Sequence, residues 1–175
     1  NQIISETFTS DYIKMFLPEE ISSKDIMQGD FDYIFFTGST QAGRQIAKTA
    51  GERLIPYTLE LGGKSPVIID DTADLKVSAR RIVKGKFMNA GQTCIAPDYL
   101  FAHASIREKL ILEMINAIQE FYGTYTPEST DYGRIIDIEA FNRLSKLIKS
   151  SKDKIIYGGH SDECTLYIEP TLIVE

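Results

Sequence analysis

Cysteine is scarce in this chain. Only Cys94 and Cys164 occur, too few for a disulfide framework, so a reducing compartment, the cytoplasm, is the simpler placement. Histidine is equally rare. His103 lies on an alternating strand and His160 in a polar loop. Both read as structural or solvated groups rather than as the base of a cysteine hydrolase. No pair of cysteines or histidines has metal-ligand spacing, so no metal site is expected. Basic charge is lacking too: the net charge of −6 argues against a nucleic-acid groove. No apolar run approaches the roughly 18 residues of a membrane helix. Internal repeats and low-complexity segments are absent. What remains is a chain of 175 residues, 43% hydrophobic and 25% charged, the balance of a globular domain with a real core.

The chain starts in the apolar stretch Ile3-Ile4 and stops directly after Leu172-Ile173-Val174. This reads as an excerpt from a longer protein, with any targeting signal outside it. A short strand is expected near Tyr12–Phe16, then Pro18 and a helix after Ser22 or Ser23. Tyr33 to Thr37 is a continuous apolar run, as in a parallel strand buried on both faces. A helix with Ala42, Ile46 and Ala50 on one side follows, ended by Gly51. Val67-Ile68-Ile69 is the next strand. Asp70-Asp71-Thr72 caps a helix in which Leu75, Ala79, Ile82, Val83 and Phe87 recur at helical spacing. Tyr99 to His103 is a strand. Ser105 to Glu108 is a capping box opening a helix through Tyr122, closed by Gly123. Asp137 starts a helix with Phe141, Leu144 and Ile148 on its buried stripe. Ile155 to Gly159 and Tyr167 to Val174 are late strands. Alternating strands and helices give an α/β class with a mainly parallel sheet.

Three stretches carry chemistry, and each has a plainer reading beside it. Phe87 to Asp98 holds Cys94 on a turn after a buried helix, with Gly91 breaking that helix. A turn aims a side chain into a cleft, whereas a lone cysteine is commonly a small buried hydrophobe. Thr58 to Pro66 puts Glu60 between two leucines ahead of Gly62-Gly63. Desolvation there suits a general base, whereas strict alternation puts the same carboxylate on a solvent face. Gly38-Ser39-Thr40-Gln41-Ala42-Gly43 joins strand to helix, as a phosphate loop does and as a tight turn also does. Arg44-Gln45 excludes a P-loop, and Thr40 breaks the usual dinucleotide pattern Gly-x-Gly-x-x-Gly.

Together these stretches resemble the aldehyde dehydrogenase superfamily. Leu59 to Pro66 is similar to its glutamate signature and Phe87 to Asp98 to its cysteine signature, with Cys94 34 positions after Glu60. The likeness runs from Phe31 to Thr171. Gly85-Lys86-Phe87, Ile95 to Tyr99, Glu120 to Gly123 and Asp131 to Ile136 are closest to the class 3, or fatty-aldehyde, branch.

The resemblance implies an aldehyde dehydrogenase-like α/β fold, with 1–58 the last part of an NAD(P)-binding, Rossmann-like domain and 59–175 the first part of a catalytic domain. It implies oxidation of an aldehyde to a carboxylic acid with NAD or NADP. Cys94 is the implied nucleophile, its own backbone N–H an oxyanion donor, and Glu60 the base that hydrolyses the thioester. Gly38, Ser39, Thr40 and Gly43 line the cofactor site, and Leu61 meets the nicotinamide through its backbone. The family's asparagine oxyanion donor would precede Asn1, and Asn89 is not given that role. A medium- or long-chain aliphatic or aromatic aldehyde and a homodimeric parent are further implications, and the 175 residues alone are expected not to turn over. Two alternatives stay open: an acylating relative that uses coenzyme A, against which Glu60 argues, and a non-catalytic structural protein on the same fold, against which Cys94 and Glu60 both argue. Cys164 reads as a bystander.

Overall fold

A computed structural model describes residues 2–17 and 19–174; Pro18, expected before a helix, lies outside them. Helix α1 spans Gln2–Thr7, and Tyr12–Phe16 is turn and loop rather than strand. Helix α2 (Ser23–Ile26) is one turn long. Strand β1 (Ile34–Gly38) leads into α3 (Thr40–Glu52), and β2 (Tyr57–Leu61) returns parallel to β1. Then come β3 (Ser65–Ile69), α4 (Leu75–Phe87), β4 (Pro97–Ala102), α5 (Arg107–Tyr122) and α6 (Ile138–Ser150). Four short strands finish the chain: β5 (Ile155–Tyr157), β6 (Ser161–Asp162), β7 (Tyr167–Ile168) and β8 (Leu172–Ile173). β3 and β4 pair parallel, whereas β5 with β8 and β6 with β7 pair antiparallel. The stretch expected as one strand over Tyr167–Val174 is therefore two, divided around Pro170, which has no N–H for a ladder.

The chain forms two compact units, Asn1–Leu61 and Gly62–Glu175. In the first, Met27, Ile34, Ala50 and Ile55 make a small core with Phe36 and Ile46. Alternation along β1 turns Ile34 inward and leaves Phe35 68% exposed. That differs from the expected double-sided burial, because α3 covers one face only. Gly51 lies inside α3; the left-handed residue after the helix is Leu54, with φ 57.

In the second unit α4 and α5 pack on each other and on one face of the β3–β4 pair. Ala79, Ile82, Val83 and Phe87 of α4 are buried with Leu110, Met114 and Ile118 of α5. The caps differ from expectation. Asp74, not Asp70 to Thr72, accepts from the Val77 N–H at 3.0 Å. Asp70 closes a turn on Thr72 instead, and the Thr72 hydroxyl bonded to it holds its carboxyl below the usual range. Before α5 a short 3-10 turn intervenes, so the His103 ring accepts from the Ser105 N–H and no Ser105 capping box forms. Gly123 (φ 81) closes α5 and Asp137 caps α6 by accepting from Ala140, both as expected.

Candidate active site

In the first unit, β1 and β2 run in a register that pairs Thr37 with Glu60 and Gly38 with Leu61. The strand-to-helix loop thus starts beside the end of β2. Ser39 caps α3, its Oγ accepting from the Ala42 N–H at 3.1 Å. The Gly43 N–H is taken by the Ser39 carbonyl at 2.8 Å. Thr40 and Gln41 carry the first N–H groups of α3, which helix geometry leaves without an intrahelical acceptor. Gly43 is tightly placed: a Cβ there would stand 2.7 Å from Leu61 Cδ2. Gly38, Ser39, Thr40, Gly43 and Leu61 are therefore neighbours in one small region. A strand end, a bare glycine backbone and free N–H groups at the start of a 13-residue helix fit the phosphate-bearing part of a dinucleotide.

Glu60 is exposed on β2, between the half-buried Leu59 and Leu61. The expected desolvated setting is not found in this unit. Alternation decides it: the two leucines face α3, where Gly43 lies against both, and the glutamate takes the other face.

In the second unit Cys94 is exposed, so it is not a buried hydrophobe. Its turn runs from Thr93 to Ala96 and is closed by the Ala96 N–H on the Thr93 carbonyl at 3.1 Å. Gly63 fits beneath it: a Cβ at Gly63 would stand only 2.6 Å from the Cys94 carbonyl oxygen. Beyond the turn, Asp98 takes Lys64 at 3.0 Å and Lys86 at 3.6 Å. Ahead of Cys94 the backbone is unusual. Asn89, Ala90 and Gly91 all have left-handed φ, 54, 53 and 80. The Asn89 side chain is taken up locally, its Nδ2 donating to the Gln92 carbonyl at 3.2 Å.

Gln92 and Arg134 are site residues that no short-range sequence pattern marks. Gln92 ties this turn to the segment after Tyr132. Arg134 anchors that segment, donating to the carbonyls of Tyr132, Gly133 and Pro127 and standing 5.1 Å over the Tyr167 ring. Burial pushes the Tyr132 phenol well above its ordinary range, and as a neutral hydroxyl it donates to the Ile168 carbonyl at 3.0 Å. Cys164 is exposed in the turn between β6 and β7, where its N–H is held by Asp162. His160 lies in the loop before β6. Among the described residues no group of three or more His, Cys, Asp or Glu could hold a metal, and no helix is long and apolar enough to cross a membrane.

The profile of the aldehyde dehydrogenase family matches residues 17–175. The chain is 46% identical to a 4,4'-diaponeurosporen-aldehyde dehydrogenase of Staphylococcus aureus over 172 residues, 98% of this chain and 38% of that protein. It is 44% identical to aldehyde dehydrogenase family 3 member A2 of Pongo abelii over 151 residues, 86% of this chain and 31% of that one. The chain thus spans under two-fifths of the length of these relatives. A structure described as the substrate-bound state of Staphylococcus aureus AldH superposes with a TM-score of 0.90 at 46% identity, over 98% of this chain and 38% of that chain. A Mycobacterium tuberculosis aldehyde dehydrogenase complexed with NAD+ gives 0.76 at 28% identity, over 86% and 33%. With its two signature stretches inside the matched region, this chain belongs to the aldehyde dehydrogenase family, near its class 3 members.

Proposed function

We propose that the protein oxidises an aldehyde to a carboxylic acid with a nicotinamide dinucleotide, using Cys94 as nucleophile and Glu60 as base. The observation that carries this reading is the Cys94 turn: an exposed thiol on a short turn, closely backed by Gly63. Thiolate Sγ adds to the aldehyde carbon and forms a C–S bond. The carbonyl oxygen takes the negative charge, and the Cys94 backbone N–H is one donor for it. When bound, the dinucleotide supplies the acceptor for the hydride that the carbon gives up; Gly38, Ser39, Thr40, Gly43 and Leu61 are the residues that would hold it. The acyl group then remains on Cys94 as a thioester. Glu60 removes a proton from water, and the water oxygen bonds to the acyl carbon. The C–S bond breaks, the acid leaves, and the thiolate is restored. A base of this kind contributes about 10² to 10⁴ in rate.

On this reading 1–58 belongs to the cofactor-binding domain and 59–175 to the catalytic domain of a cytoplasmic homodimer. Its substrate is a medium- or long-chain aliphatic or aromatic aldehyde, by analogy with class 3. The test is NAD(P)H absorbance after adding such an aldehyde to the full-length protein without coenzyme A. Wild type and Cys164→Ser should turn over, and Cys94→Ser should not. Equal losses in both variants would remove the reason for choosing Cys94. Turnover only with coenzyme A would replace hydrolysis by acyl transfer.

A further inference from the structure

We propose that Gln92 is the positioning residue of the Cys94 turn, and that it sets the nucleophile by clamping the left-handed turn to the segment 134–136. The proposal rests on Cys94 as nucleophile. One side-chain amide makes three bonds. Its Nε2 donates to the Asn89 carbonyl at 3.0 Å and to the Arg134 carbonyl at 2.9 Å. Its Oε1 accepts from the Ile136 N–H at 2.9 Å. Two N–H donors and a carbonyl on one terminal group occur only in the amides, and asparagine is one carbon shorter. The residue is two positions before Cys94, so any shift in its backbone passes directly to the thiol.

The turn needs such a clamp. Asn89 and Ala90 are non-glycine residues in a left-handed conformation, which persists only where surrounding contacts impose it. Besides the Asn89 side chain, the turn's local bond is the Gln92 N–H on the Asn89 carbonyl at 3.1 Å. Ala90 packs on the core of the unit, and the longer-range bonds to the turn come from the 132–136 segment. Gly133 lies against the turn, with the Asn89 carbonyl carbon and the Ala90 nitrogen each 3.5 Å from where its Cβ would be. Arg134 in turn is fixed by Pro127 at 2.6 Å and by the Tyr167 ring.

The experiment uses two variants of the full-length enzyme. Gln92→Glu keeps the shape but turns a carboxylate towards two carbonyl oxygens; Gln92→Met keeps the length without charge. Misplacement of a reacting group by about 1 Å costs on the order of 10²-fold in rate, so kcat should fall by about that factor in both. Kd for NAD(P) should stay within about twofold, since dinucleotide binding does not depend on where the thiol points. Alkylation of Cys94 by iodoacetamide should change in rate while that of Cys164 does not. Wild-type kcat beside an inactive Cys94→Ser overturns the proposal alone. An active Cys94→Ser overturns the Cys94 reading and the proposal with it. A loss of kcat that appears only where both variants lose their folded state, or that leaves Cys94 alkylation unchanged, makes Gln92 a structural residue and also overturns it.

Discussion

Gly63→Ala tests the tightest contact made by the nucleophile turn. The new Cβ would sit 2.6 Å from the Cys94 carbonyl oxygen, while its next neighbours stand at 3.8 Å. Relief to an ordinary contact needs an opening of roughly 0.8 Å. The obstructing atom is backbone, so no side-chain rotation provides it. The two ends are tied close by, where Ser65 pairs with Pro97 on β4, three residues after Cys94, next to a shift in register. The turn itself therefore moves. Overpacking of this kind costs about 1–3 kcal/mol, and a shift approaching 1 Å at the thiol costs on the order of 10² in rate. Gly62→Ala is the matched control, since nothing lies within 4 Å of its Cβ and neither glycine has a left-handed φ. The assay is thermal melting and Cys94 alkylation on the full-length protein for both variants, with kcat for Gly63→Ala. Gly63→Ala should lose stability and turnover, whereas Gly62→Ala should keep its melting temperature and alkylation rate. Wild-type stability and kcat in Gly63→Ala, or equal destabilisation by both, would refute the contact.

Three further outcomes are expected. Glu60→Gln should give one burst of NAD(P)H and then stall with an acyl group on Cys94 that mass spectrometry can detect; unchanged steady turnover would reject the base. Ser145 is buried on α6, and its Oγ has no hydrogen-bond partner among the described residues, so Ser145→Ala should leave stability unchanged or raise it by up to about 1 kcal/mol; a loss of that size in denaturant titration would reveal a partner. Tyr132 has its phenol raised by burial from the ordinary 10.0, so the fold binds a proton that the unfolded chain releases above that pH. Its contribution is whole below about pH 10 and is lost as pH rises towards the folded value. Melting temperature should therefore fall above about pH 10, and less steeply in Tyr132→Phe.

The parts of the fold that are local in sequence were legible. Ala79, Ile82, Val83 and Phe87 mark the buried face of α4 by spacing alone, and Asp137 and Gly123 bound their helices as read. The errors come from competition between nearby residues. Asp74 wins over Asp70 to Thr72 because the helix starts a turn later, and His103 caps where Ser105 was expected. Glu60 was placed by motif, but its environment follows the plain alternation of β2. Gln92 lies inside the cysteine-signature stretch, where no local pattern gives it a role. Its partners Arg134 and Ile136 lie 42 and 44 residues further on, and no short-range pattern encodes a bond across that distance.

That distance bears on how the nucleophile is held. A glycine at position 90 would take φ 53 without cost, yet it would also leave the turn free to take other shapes. Alanine in that conformation costs of order 1–3 kcal/mol, so the turn alone would relax out of it. The opposing terms sit elsewhere: three bonds from Gln92, the backbone of Gly133, and the Arg134 anchor on Pro127 and Tyr167. The shape of the turn is thus a property of the packed unit and not of residues 89–91. It follows that loosening Tyr132 to Ile136, well away from the thiol in sequence, acts on Cys94 through the Gln92 amide and the Gly133 contact.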